Sequence, residues 1–228
     1  GAKRAGGLDI GAACSGFVFG LHPAAQFVAA QTYRRVLVIG SEKLSMLLDY
    51  EDRNTCVLFG DGAGAVVVTS LDEANGQGKY LGGSIQMEGG NEDVLAVPGG
   101  GSRHPASYGT IDSRLHYMKM GGTKVFRFAT RKFAELVQTA LEPYSIDELG
   151  LIIPHQVNQR IIEAAAERIG LDIRYFFSNI EQYGNTSAAS VPIALHQARE
   201  QGRLESGKLV CMPAFGAGRA WGHGLLRW

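Results

Sequence analysis

Cysteines are few in this 228-residue sequence: Cys14, Cys56 and Cys211 lie far apart, and no C-x-x-C pair is present. That scarcity argues against a zinc site and against a disulfide framework, and it fits a reducing cytoplasm. Net charge is missing too. The 22 basic and 22 acidic residues cancel, and neither sign forms a long run, so the electrostatic footprint of a nucleic-acid or membrane-surface binder is absent. Apolar runs such as Val36–Ile39 and Val66–Val68 are strand-length and fall far short of the roughly 20 residues that span a bilayer, so no membrane span is expected. Lys3 and Arg4 near the start are not followed by an apolar stretch of the kind a secretory signal needs. Small molecules or proteins are left as the expected substrates and partners.

A hydrophobic content of 45% suits a substantial core, in one large domain or two. The periodicity predicts an α/β chain. Leu8–Ile10 reads as a buried central strand with no earlier element beside it, which points to a missing start. A turn at Ala12–Ser15 leads into a helix from about Gly16 to Thr32, with Phe17, Leu21, Ala24 and Val28 at helical spacing. Arg35–Gly40, Thr55–Phe59 and Ala65–Ser70 read as strands, the last two separated by glycine-rich Gly60–Gly64. Asp72–Lys79 is a polar boundary, and short strands follow over residues 81–118. Phe126, Ala129, Phe133, Leu136 and Ala140 place a long helix over Gly122–Leu141. Gly150–Ile153 is a buried strand stopped by Pro154, and Asn158 caps a helix that Gly170 ends after Ile169. Phe176–Asn179 is a short strand, Tyr183–Ser187 a turn and Ala188–Gln201 a helix that tolerates Pro192 only near its start. Strand Lys208–Pro213, the turn Phe215–Gly218 and a strand around Trp221–Arg227 make a closing hairpin.

Three polar side chains then fall at chain turns. Cys14, in Ala12-Ala13-Cys14-Ser15-Gly16, stands at a helix start, where unpaired N–H groups favour the thiolate and small neighbours let a substrate approach. His155 leaves the strand that ends at Pro154, and Asn185 lies in Tyr183-Gly184-Asn185-Thr186-Ser187. Cysteine, histidine and amide at equivalent strand exits can converge on one reaction centre. The competing reading is an inert buried cysteine, a structural histidine and a helix-capping asparagine. Cys56 and Cys211, inside apolar segments, are read as inert. Gly60–Gly64 leads into a strand and Pro98–Ser102 into no clear helix, so neither is a phosphate-binding fingerprint.

The stretches Asp9–Phe17, Phe59–Ala65, Pro154–Asn158, Tyr183–Pro192 and Phe215–Gly218, in that order and spacing, resemble motifs of β-ketoacyl-acyl-carrier-protein synthase III over about Leu8–Trp228. Histidine followed by Gly-Asn-Thr-Ser is similar to the initiating synthases rather than the elongating ones. The resemblance implies a thiolase-like fold, two related α/β halves in stacked helix and sheet layers, with residues 1–78 as the later part of an incomplete first half and 79–228 as the second. It implies a homodimer without cofactor or metal. Its implied chemistry is an acyltransferase reaction in fatty acid biosynthesis, the decarboxylative condensation of an acyl-CoA starter with a malonyl-acyl carrier protein through acyl-Cys14. His155 and Asn185 would stabilise the enolate, and the backbone N–H groups of Cys14 and Ala217, where many members have glycine, would hold the acyl oxygen. Arg53 matches the arginine that stacks on the CoA adenine, with a solvated loop arginine as the alternative. Arg127, Arg131 and Arg160 could form a docking patch for acyl carrier protein, or simply solvated helix faces. Close competitors are condensing enzymes of secondary metabolism, of polyketide or quinolone type or joining two acyl chains. A different class is a non-catalytic half-protein needing a partner chain. The resemblance also implies that the segment before the cysteine strand is supplied by a second polypeptide or lies outside this sequence.

Overall fold

Two sheets of two and four strands organise the chain, with a third, minimal pair of strands beside them. The computed structural model describes residues 3–74, 78–90 and 94–228. A single turn at Ala13–Ser15 opens directly into helix α1 (Gly16–Ala29), and strands β1 (Arg35–Lys43) and β2 (Asp61–Thr69) pair antiparallel. Then come β3 (Lys79–Met87), β4 (Leu95–Ala96), α2 (Tyr108–Asp112), β5 (Lys119–Met120) and α3 (Gly122–Leu141). The remainder is β6 (Leu149–Ile152), α4 (Gln159–Ile169), α5 (Ile180–Tyr183), α6 (Ser190–Glu200), β7 (Leu209–Gly216) and β8 (Ala220–Arg227).

The larger sheet has the order β3-β8-β7-β6, with β6 and β7 parallel and the other neighbours antiparallel. Strand β7 is buried along nearly its whole length, as a strand covered on both faces must be. Against one face, α3 and α4 bring Phe133, Leu136 and Ile162 onto Phe215, Trp221 and Leu225. With Ala129 and Ala140, these α3 residues recur at three- and four-residue steps, which gives the helix one apolar stripe. Against the other face, α1 and α6 bring Phe17, Leu21, Ala194 and Leu195 onto Val210 and Met212. The same two helices carry the β1–β2 sheet on their far side, through Val36, Val38, Val66 and Val68. The layers therefore run helix, sheet, helix, sheet. The outer face of β1–β2 leaves Leu37, Ile39 and Val67 more than half exposed.

Several sequence expectations need correction. Leu8–Ile10 is neither a strand nor buried: Leu8 is 66% exposed and no described strand lies alongside to complete a ladder. Thr55–Phe59 is a series of turns, with only Phe59 bridged, to Asn185. Gly60–Gly64 is not a separating loop, because β2 begins at Asp61. A Cβ on Gly62 would lie 2.8 Å from Ile193 Cδ1 and one on Gly64 2.9 Å from Pro192, so these glycines let α6 lie close to the strand. Phe176–Asn179 makes only a single bridge, between Phe176 and Ile152. Helix α1 ends at Ala29 rather than Thr32, and Gln31 turns the chain with φ of 57°. Of the boundary at 72–79, residues 75–77 lie outside the described residues. The predicted α3, β6, α4, α6 and closing hairpin agree with the structure within two or three residues, and α4 has the Asn158 cap and a Gly170 end at φ 70°.

Candidate active site

One cavity of about 510 Å³ is lined by Cys14, His155 and Asn185 together. Cys14 is in the turn just before α1, held by Ser15, whose N–H and hydroxyl both donate to the Ala12 carbonyl at 3.1 and 2.7 Å. Ala13 beside it has φ of 44°, a left-handed conformation that residues with a Cβ seldom adopt and that stores strain next to the nucleophile candidate. The end of β7 closes on this turn. A Cβ at Gly216 would lie 2.8 Å from both the Cys14 nitrogen and the Ala12 carbonyl oxygen, so only glycine lets the two backbones approach.

His155 owes its place to the parallel ladder, which continues past the end of β6. Ile153 N–H donates to the Cys211 carbonyl at 2.8 Å and His155 N–H to Pro213 at 2.9 Å. The imidazole lies edge-on to Phe215 at 5.8 Å between centroids, and its Nδ1 is 2.7 Å from Ser190 Oγ. Gln156, fully buried, fastens the loop behind it: its amide NH2 donates to Pro154 and Phe177 carbonyls, and its Oε1 accepts from Asn179 N–H.

Asn185 is fixed by backbone and side chain alike. Its N–H donates to Leu58 O at 2.9 Å and its carbonyl accepts from Gly60 N–H at 3.0 Å, a parallel bridge to Phe59. Its Oδ1 accepts the Ser187 N–H at 2.9 Å, which leaves the Nδ2 donors for the cavity. Ala217 also lines the cavity, and its φ is not in the positive range, whereas Gly218 at 71° and Arg219 at 50° take the left-handed turn.

Electrostatics corrects one expectation about Cys14. Burial pushes its thiol up to about 11; a hydrogen bond with Ser187 opposes the shift, and the Glu42 carboxylate adds to it. Desolvation of the thiolate thus outweighs the helix-start field. Alkylation of Cys14 by iodoacetamide, followed by peptide mass to separate it from Cys56, should rise about tenfold per pH unit with no plateau below about 11. A plateau near neutrality would mean that the helix start prevails. Burial also holds His155 down to about 3, so its ring is neutral across the physiological range. Cys211, inside β7, is pushed up to about 12 by burial.

The cations separate into two groups. Arg127 lines the cavity, together with Lys124 and Arg219, which the sequence reading missed; among the lining residues there is no aspartate or glutamate. Arg219 is paired with Glu88. Arg53 is exposed in a turn capped by Asp52, Arg131 pairs with Glu135, and Arg160 is exposed at the start of α4, all three outside the cavity wall. Phe59, Phe126, Phe128, Val157 and Ile161 supply apolar wall. Ser187, Ser190 and Gln156 were also missed, although Ser187 and Ser190 fall inside the Tyr183–Pro192 motif and Gln156 inside Pro154–Asn158. Among the described residues no cluster of three or more His, Cys, Asp or Glu side chains is placed to hold a metal, and no helix is long and apolar enough to cross a membrane.

Comparison with known proteins agrees with this geometry. The family model described as 3-oxoacyl-[acyl-carrier-protein (ACP)] synthase III matches residues 8–84, and its C-terminal counterpart matches 140–228. The chain is 45% identical over 230 residues to a β-ketoacyl-[acyl-carrier-protein] synthase III of Desulfitobacterium hafniense, covering 100% of this chain and 69% of the relative. It is 46% identical to the enzyme of the same name from Solibacter usitatus, covering 70% of it. The crystal structure of 3-oxoacyl-[acyl-carrier-protein] synthase III from Aquifex aeolicus superposes with a TM-score of 0.86 at 43% identity, over 100% of this chain and 68% of that one. The fold is accordingly the thiolase-type α/β fold, and a chain with these relatives and this cavity belongs to the 3-oxoacyl-[acyl-carrier-protein] synthase III family of condensing acyltransferases.

Proposed function

We propose that Cys14, His155 and Asn185 carry the family's decarboxylative condensation in this chain, joining an acyl-CoA starter to a malonyl-acyl carrier protein to give a 3-oxoacyl product in fatty acid biosynthesis. The observation that carries this reading is the shared cavity: a thiol, a neutral imidazole and an amide face one apolar space.

In the first half-reaction Cys14 sulfur attacks the thioester carbonyl of acyl-CoA. The new S–C bond forms as the C–S bond to CoA breaks, and CoA leaves as the thiol with the proton that Cys14 gave up. The backbone N–H groups of Cys14 and Ala217 stabilise the oxyanion. In the second, the malonyl C–C bond breaks, carbon dioxide departs, and the electron pair moves onto the thioester as an enolate. His155 and Asn185 donate to that oxygen. The enolate carbon then attacks acyl-Cys14, the C–S bond to the cysteine breaks, and the departing thiolate takes a proton from solvent to restore the thiol. These steps use thioester chemistry and side chains, and no resident cofactor enters them.

Arg127, with Lys124 nearby, is read as guiding the acidic carrier protein to the cavity, with Arg131 and Arg160 further out and Arg53 on the adenine side. Residues 1–78 and 79–228 are read as the two thiolase-type halves. The exposed apolar face of β1–β2 supports assembly as a homodimer, and the three unpaired cysteines support a reducing, cytoplasmic setting.

The test is intact-protein mass after incubation with acetyl-CoA and longer acyl-CoAs. A single acyl adduct should appear and then discharge on addition of malonyl-carrier protein, with one carbon dioxide per product. No adduct with any chain length would overturn the reading.

A further inference from the structure

We propose that Ser190 is a positioning residue for the condensation: its hydroxyl donates to His155 Nδ1 and thereby keeps the imidazole proton on Nε2, the nitrogen left to the cavity. The inference deepens, and rests on, the reading of His155 as a hydrogen-bond donor to the enolate oxygen.

The geometry is closed on all sides. Ser190 is the first residue of α6, is 2% exposed, and lies against a His155 ring that is 1% exposed. Its Oγ is 2.7 Å from Nδ1 and accepts the Gln156 backbone N–H at 3.2 Å. A serine at this position often returns its proton to a carbonyl of the preceding turn. Among the described residues, the only acceptor this hydroxyl meets is Nδ1.

Two arrangements are then available. With the proton on Nδ1, the ring donates to Ser190, which already accepts from Gln156, and the serine O–H is buried with no acceptor. With the proton on Nε2, the serine O–H donates to the Nδ1 lone pair, so Nδ1, Ser190 Oγ and Gln156 N–H are all paired and the Nε2–H is left to the cavity. An unpaired buried donor is the costlier outcome, so the second arrangement prevails. Gln156 contributes twice, through the N–H that occupies Ser190 Oγ and through the side chain that anchors its own loop to Pro154, Phe177 and Asn179. Ring orientation and ring tautomer are therefore set by one small network on the Nδ1 side of the imidazole. An enolate oxygen needs a proton aimed at it, and the Nδ1–H tautomer would present a lone pair instead.

The experiment is nitrogen NMR of the full chain labelled with 15N-histidine, the His155 signals being those missing in His155→Gln. The parent should show a protonated Nε2 and an unprotonated Nδ1. In Ser190→Ala both tautomers should be populated, and Ser190→Thr should restore the parent pattern. In the companion assay, Ser190→Ala should slow malonyl decarboxylation about 10- to 100-fold, by analogy with the loss when the outer hydrogen-bond partner of a metal-binding histidine is removed. The loss should fall on that step and in kcat, rather than on acylation of Cys14 or in KM. A protonated Nδ1 in the parent, or a Ser190→Ala spectrum that keeps the parent tautomer, overturns the proposal. If His155→Ala itself leaves decarboxylation unchanged, the fault lies with the reading of His155 as a donor, whatever the spectrum shows.

Discussion

Cys14→Ser abolishes the covalent acyl adduct and with it condensation, a loss on the order of a thousandfold or more, as nucleophile removal costs other enzymes of covalent mechanism. The expectation follows from the surroundings of the thiol rather than from its identity alone. A serine hydroxyl is far less acidic than a thiol, and the nearest imidazole is a poor base for it: burial holds His155 down to about 3. At position 14 burial and Glu42 oppose ionisation, and the hydrogen bonds from Ser187 and from the Cys14 backbone N–H offset them only in part. Oxygen for sulfur is a small change of volume in a residue 7% exposed, so the melting temperature should barely move. Intact-protein mass and a thermal melt on the same sample separate lost chemistry from lost fold. Acylation of the serine variant at the parent rate would remove Cys14 from the mechanism.

The second large effect belongs to the amide. Loss of one oxyanion donor costs about 3 kcal/mol in well-studied acyl-transfer sites, so the Asn185 variants should decarboxylate the malonyl substrate about a hundredfold more slowly, or worse. Asn185→Ala is an incomplete test, because it also strands the Ser187 N–H that Oδ1 now satisfies, a buried donor worth about 1–3 kcal/mol of stability. Asn185→Asp is sharper. It keeps an oxygen for Ser187 and replaces the donor NH2 by a second acceptor, so catalysis should fail while the local hydrogen bonding persists. Carbon dioxide release from malonyl-carrier protein measures the step directly. An aspartate variant with the parent rate would exclude a donor role for Asn185.

The parts of this fold that were legible in the sequence are those whose signal is local. The apolar stripe Ala129–Phe133–Leu136–Ala140 defines α3, and Asn158 and Gly170 bracket α4. The strand before His155 lies where it was read, within one residue, and the glycine turn closes the last hairpin. The misreadings share a different cause. Leu8–Ile10 has the composition of a buried strand, yet a strand exists only where a neighbour completes its ladder. Gly60–Gly64 has the composition of a loop, yet its glycines answer to Pro192 and Ile193 on a helix more than a hundred residues later. The convergence of Cys14, His155 and Asn185 was legible through motif order. The raised thiol pKa, the Ser190 contact and the Gln156 anchors were not, because burial and side-chain direction depend on contacts among distant segments.

The bridge between Phe59 and Asn185 also bears on how the molecule is made. Its partners are separated by more than half the chain, and closing so long a loop carries an entropy cost on the order of 4 kcal/mol. The contacts that offset it, α6 on β2 and the Ser187–Ala189 turn on β1 and on the Cys14 turn, are themselves between distant segments. The amide is therefore expected to reach its place in the cavity wall after the local helices have formed. A topology so rich in distant contacts places the chain among the slow folders, and both the Cys14 turn, closed by Gly216, and the Asn185 loop, closed by Phe59, wait on segments far away in the chain.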